Sequence, residues 1–289
     1  MQNEITGRIA NALGVELVAR EAVRPTDHPH ALDYIFRGRA ALLKPPTPNS
    51  YAEGIGLFER ALSIDPQSAE AQTRLAIVPA TRVLNAMSTS PAADIARAET
   101  LAGQALAASP RSLLAHFAKG QVLRAQNRCD QAIPEYETVI SADPNAAPVL
   151  VAIAQCKLFT GAIDEVIPLV EQAMRLSPRD RHIFWWYFEC GRIFLLKSHT
   201  DQAILWLERA RSADPAHPWT RIFLASAYGL KGETDRAAAE LAEARRLSGN
   251  DRYSSIARVA TEYFGVPKIR ALFEATYFAG LRNAGMPEE

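Results

Sequence analysis

The chain has no surplus of charge of either sign. Its 32 Lys and Arg residues cancel its 32 Asp and Glu residues. Composition therefore gives no argument for nucleic acid, which calls for a basic face, and no polybasic run marks a membrane surface. Cysteine is scarce. Cys129, Cys156 and Cys190 are an odd number with no paired spacing, which excludes a disulfide framework and suits a reducing compartment. They read as small core residues. No apolar run reaches the ~18 residues that a membrane span needs. The opening, MQNEITGRIANALGVELV, lacks the basic leader and apolar block of a signal peptide, so a cytoplasmic location is expected. The six histidines form no helical metal pair, no two cysteines have ligand spacing, and no glycine-rich loop follows a strand. A non-enzymatic chain without metal or cofactor is expected, with neither nucleic acid nor membrane as partner.

What is present is a clock. Pro66, Pro110, Pro144, Pro178 and Pro215 each follow a short acidic or hydroxyl residue, and Gly249 falls where a sixth would stand, at intervals of 44, 34, 34, 37 and 34 residues. Twelve residues before each marker stand Gly54, Ala98, Ala132, Val166, Ala203 and Ala237, which allow helices to approach closely. Eight before it stand the larger knobs Phe58, Ala102, Tyr136, Val170, Leu207 and Leu241. A period near 34 is the length of a two-helix repeat that cannot bury its apolar face alone and must stack on its neighbours. The fold class expected is all-α, a right-handed α-solenoid of stacked helix pairs.

Three regions are expected. Residues 1–24 hold an N-terminal amphipathic helix, the tail of or linker from an upstream domain, with Ile5, Ile9, Leu13 and Leu17 in one stripe. Residues 25–250 hold six pairs. The second contains Pro79 in a long first helix, from Ser68 to about Met87, and the fifth carries three extra residues in RDRHIFWWY. Residues 251–289, with Ala271 in phase 34 after Ala237, read as a degenerate seventh pair, helices near 251–263 and 266–283, acting as a C-terminal cap. Of the tail residues Leu272, Phe273, Tyr277 and Phe278, some are expected to cap the last repeat and an exposed remainder to dock a second copy.

Segment LLAHFAKGQVLRAQNRCDQAIPEYETVISADP resembles a tetratricopeptide repeat, with Gly120, Ala132, Tyr136 and Pro144 at the characteristic positions and His116 replacing the first aromatic. TRIFLASAYGLKGETDRAAAELAEARRLSG resembles another, with Ala225, Tyr228 and Gly232. The flanks, QNEITGRIANALGVELV and RYSSIARV with YFGVPKIRALFEATYFAGLRNAGMPEE, resemble the C-terminal half of bacterial signalling proteins. The upstream domain of those proteins is a class III adenylate or guanylate cyclase or a winged helix. This implies a regulatory or scaffolding role without the output activity.

In such a fold the first helix of each pair lines a concave groove. Counting from the small residue of each first helix, Arg39, Phe117, Gln121, Arg124, Gln155, Trp185, Phe188, Arg192 and Trp219 fall at outward positions. Arginine and glutamine forks can hold a peptide backbone or carboxylate, and aromatics make pockets. These residues are the candidate partner-binding groove, for a protein or peptide segment or a second copy of the chain. Trp185 and Trp186 point about 100° apart on a helix, so they cannot share one core, and one of them facing the groove is weighed against an aromatic lid. The alternative from another class is a ligand-sensing or enzymatic site assembled across repeats.

Overall fold

The computed structural model describes residues 13–24, 30–44, 46–249, 251–262 and 265–289. Among them residues 13–22 are helical, called α1. The first part of the expected N-terminal helix lies outside the described residues.

Six successive helix pairs follow along the chain: α2 Ala31–Ala41 and α3 Pro48–Ile64, α4 Ala69–Leu84 and α5 Pro91–Ala108, α6 Leu113–Ala125 and α7 Cys129–Ala142, α8 Ala147–Thr160 and α9 Val166–Leu176, α10 Ile183–Leu196 and α11 Thr200–Ala213, and α12 Pro218–Lys231 and α13 Thr234–Ser248. The two helices pack on each other in the first three and the last two of these pairs. No strand occurs among the described residues. The chain forms two compact units. Unit 1 runs to Cys156 and takes in Arg175–Arg181, and unit 2 comprises Lys157–Met174 and His182–Glu289.

The punctuating Asp-Pro pairs have a direct physical cause. Asp65, Asp143 and Asp214 end α3, α7 and α11 in extended or near-extended backbone. Each carboxylate then accepts a hydrogen bond from the amide two residues on, Gln67, Asn145 and Ala216, at 3.1, 3.0 and 3.1 Å. The side chain thus makes the turn, and proline ensures that the helix does not continue. Ser68 and Ser112 open the next helices by accepting from Ala71 N and Ala115 N at 3.4 and 3.3 Å. Gly249 ends α13 at φ 64°, a left-handed position that glycine adopts without strain.

The small and large positions of the clock meet each other. A Cβ on Gly38 would stand 2.6 Å from the Phe58 ring, and one on Gly191 would stand 2.6 Å from Leu207 Cγ. Gly120 makes the same approach to Tyr136. Ala98, Ala132, Ala203 and Ala237 are fully buried. In unit 1, Ile35, Phe58, Leu75 and Val78 form one core cluster, and Ala76, Ala80, Ala98, Ala102, Ala118 and Val122 form the next.

Two expectations need correction. The first helix of the second pair contains Pro79, as expected, and ends at Leu84 instead of near Met87. The tail does not form two equal helices. After α13 come a 3₁₀ turn, Asp251–Tyr253, and a single helical turn, α14, Ile256–Val259. One long helix, α15, then runs through Pro267–Phe273, a π turn at Glu274–Phe278, and Ala279–Asn283. Ala271, expected at a close helix contact, is exposed.

Candidate functional site

In unit 1 the candidate residues come from α2, α6 and the part of α8 up to Cys156. Arg124 Nη1 donates to Gln155 Oε1 at 2.6 Å, so two expected groove residues 31 apart in sequence meet. The Arg124 Nε is buried without an acceptor. A guanidinium that is paired with a neutral amide and lacks a carboxylate is under-satisfied for its charge. Gln121 is committed within the fold. It donates to Thr81 Oγ1 at 3.2 Å and accepts from Tyr136 OH at 2.7 Å. Tyr136 is fully buried, and that burial pushes its phenol up. Phe117, half-buried, lies 6.0 Å from Tyr136 at a tilt of 47°. Arg39 stands 3.7 Å from Glu70, which also pairs with Arg74 at 3.3 Å.

Sequence reasoning missed Arg74. Its Nε is buried without an acceptor, and burial lowers its pKa, with the Glu70 and Arg39 charges acting in opposite directions. The 44-residue interval hid the register of α4. Ala76 is its small position, packed against Ala98 and Ala102. Arg181 also belongs to unit 1. Two of its nitrogens are buried without acceptors. Burial raises the Tyr51 phenol, while the Arg181 charge and the Asn85 hydrogen bond draw it back.

Cys129 and Cys156, unrelated by spacing, are neighbours beside Arg124. A hydrogen bond with Cys156 and then the Arg124 charge lower the Cys129 thiol, while that bond and burial raise Cys156.

In unit 2 the candidate residues are mostly interior. Trp185, Phe188 and Arg192 are 7%, 1% and 8% exposed, and Trp219 is half-buried. Trp186 is 3% exposed, so neither tryptophan of the pair faces outward. The 100° argument fails because α10 is covered on more than one side. Trp185 packs edge-on against His217 and Trp219 at 4.4 and 5.3 Å. Arg192 forks onto Glu189, which is fully buried, through two bonds of 2.6 Å. Its guanidinium lies 5.4 Å from the Phe159 ring and 5.7 Å from Phe188. Arg252, from the turn after α13, covers Trp219 at 5.1 Å. Burial first, and the Arg252 charge second, lower the His217 imidazole to about 4. The Trp185 Nε1 and His217 Nδ1 have no acceptor or donor.

What covers this face is α15. Its start is anchored at the end of α8, where Val266 N donates to Phe159 O at 3.0 Å. Its middle packs against α10 and α12, with Tyr277 stacked on Phe223 at 4.3 Å and 24°. Its end lies on α12, where Ser226 Oγ donates to Tyr277 O at 2.8 Å and Asn283 Nδ2 donates to Gly229 O at 3.2 Å. Gly229 and Gly280 bring the two backbones so close that a Cβ on either would collide with a carbonyl oxygen of the other helix. Of the tail residues expected to divide between capping the last repeat and docking a second copy, the three aromatics are all buried within the chain. Phe273, Tyr277 and Phe278 are 1%, 2% and 0% exposed.

Among the described residues no group of three or more His, Cys, Asp or Glu is placed to hold a metal ion. No described helix is long and apolar enough to cross a membrane.

Residues 114–146 match the tetratricopeptide repeat family model. No curated protein matches the chain. Among solved structures, a thermophilic tetratricopeptide protein from Thermus thermophilus is 19% identical at a TM-score of 0.52, over 68% of this chain and 98% of the other. Pseudomonas aeruginosa pilF is 18% identical at 0.54, over 77% and 94%. The anaphase-promoting complex hetero-tetramer Cut9-Hcn1 is 15% identical at 0.66, over 88% of this chain and 46% of that one. Such identities speak for the fold. The chain is an all-α stack of tetratricopeptide-type helix pairs, a fold that generally serves contact between proteins.

Proposed function

We propose that the chain is a protein-interaction module and that unit 1 carries its open binding face. The ligand is an extended protein or peptide segment lying across α4, α6 and the unit 1 part of α8. Arg124 and Gln155 hold an acceptor, Phe117 and Arg39 flank it, and Gln121 positions the floor through Thr81 and Tyr136. One observation supports this most. Among the described residues the Arg124 guanidinium is buried at Nε without an acceptor and donates from Nη1 to the Gln155 amide, which suits a backbone carbonyl or a carboxylate of a bound segment. Binding, and not turnover, is the role we assign. Trp185, Phe188 and Arg192 then act as the interior support of unit 2. The signalling context, an upstream cyclase or winged-helix output domain, belongs to this proposal and rests on the flanking resemblance, and a cytoplasmic location is proposed from the few, unpaired cysteines.

The test is a peptide-display selection against the full chain, followed by affinity measurement of the selected peptides. Arg124→Ala is expected to weaken them about tenfold, the equivalent of ~1.4 kcal/mol. Gln155→Ala should follow, while Arg246→Ala on the exposed side of α13 should leave affinity unchanged. Selected peptides that bind wild type and Arg124→Ala equally would remove this face from the account.

A further inference from the structure

The position of α15 carries an inference of its own, independent of the reading of unit 1. A tail helix that merely extended the stack would lie against both helices of the last pair. Here α15 begins beside Phe159 of α8, touches α10 and ends on α12. It crosses the first helices of three successive pairs, the face on which the sequence places ligands. Ser226 and Gly229, at outward positions one and four residues after the small residue Ala225, are both in its contact.

The chemistry of the contact is that of a helix seated in a receptor groove. Gly280 sits at the crossing point, where any side chain would strike Ser226. Tyr277, three residues earlier, stacks on Phe223, and Phe273, seven earlier, closes edge-on over Tyr277 at 5.9 Å. The π turn spans Glu274–Phe278, and the Tyr277 carbonyl within it accepts from Ser226 Oγ. The opposite side of α15, with Lys268, Ala271, Glu274 and Arg282, is exposed. The buried side carries Ile269, Phe273, Thr276, Tyr277, Phe278 and Leu281, and Arg270 Nη1 also donates to Ala260 O at 3.2 Å.

We propose that the face of unit 2 formed by Phe223, Ser226 and Gly229 is a second, helix-binding site, held closed in cis by α15. Its external ligand is an amphipathic helix of another protein with the same stripe: a glycine at the crossing point and aromatic residues three and seven positions before it. Such a helix and α15 compete for one groove, so α15 sets the threshold for binding there. Local release of one element is the device. The cost of opening α15 lowers the apparent affinity of the partner by the fraction of time that the groove is open.

The experiment uses the full chain and a labelled synthetic peptide of residues 265–289 as probe. Wild type should bind the probe weakly. Gly280→Leu in the full chain, which unseats its own α15, should bind the unmodified probe at least tenfold more tightly, while a probe carrying the same substitution should bind neither protein. A folded Gly280→Leu chain, with its helical circular dichroism intact, that fails to gain affinity would overturn the proposal. Hydrogen exchange on wild type covers the case in which the variant does not fold. Amides of α15 should exchange at least tenfold faster than those of α12, because α15 opens alone. Equal protection of α15 and α12 would mean that the two unfold together, and the closed-site proposal would fail.

Discussion

Gly120 shows how tightly single residues are specified. Its Cα faces the Tyr136 ring so closely that an added methyl would overlap the ring edge, and Tyr136 is pinned in turn by Gln121. Gly120→Ala is therefore expected to cost about 1–3 kcal/mol through overpacking, read as a lower denaturation midpoint. A substitution tolerated without loss would show that the ring can shift. His217 gives a prediction in pH. Its folded value near 4 lies below the ordinary value of 6.5 because burial, aided by Arg252, disfavours the imidazolium. A lowered histidine contributes its stability above pH ~6.5, and that contribution is lost as pH falls towards 4. Unfolding followed between pH 7 and 4 should show unit 2 weakening over this window. His217→Phe should flatten that slope, and an unchanged slope would place the acid sensitivity elsewhere.

At the scale of elements, Thr47 and Ser50 cap α3 reciprocally, each side chain accepting the other's amide at 3.1 and 3.0 Å. Thr47→Ala should lower stability by about 1 kcal/mol, checked by denaturant titration, and Ser at this position should restore it. The six pairs were legible in the sequence because Asp65, Asp143 and Asp214 build their turns locally and because Gly38, Gly120 and Gly191 must face large partners. Arg124 and Gln155 were each counted from a small residue in register, but that count did not pair them with each other. The path of α15 was not legible. Ala271 kept the repeat phase, yet it is exposed, because the helix turned back across α12 and α10 where Gly280 fits Gly229. That complementarity joins residues far apart in the chain and leaves no periodic trace. Arg74 was missed because the longer second interval hid which face of α4 it occupies. Trp186 was misread because a helix flanked by neighbours can bury residues all round, as α10 does.

For the molecule as a whole, successive helix pairs contact one another within each unit, as α4 does α6 and α11 does α12, and such repeats have no single cooperative core. Trp185, Trp186, Trp206 and Trp219 are the chain's four tryptophans, and all lie in unit 2. Indole fluorescence therefore reports unit 2 alone, whereas far-ultraviolet circular dichroism reports helices of both units. The two probes should give non-coincident denaturant transitions, and coincident curves would indicate all-or-none unfolding. The division has a functional counterpart. Unit 1 carries Arg124, Gln155, Phe117 and Arg39 on its proposed ligand face, while in unit 2 the corresponding face is occupied by α15. The most direct test of this arrangement is hydrogen exchange on the full chain with and without a display-selected peptide. The account predicts slowed exchange in α4, α6 and residues 147–156, with α12 and α15 unchanged. Protection that appears in α12 and α15 and spares α6 would contradict it.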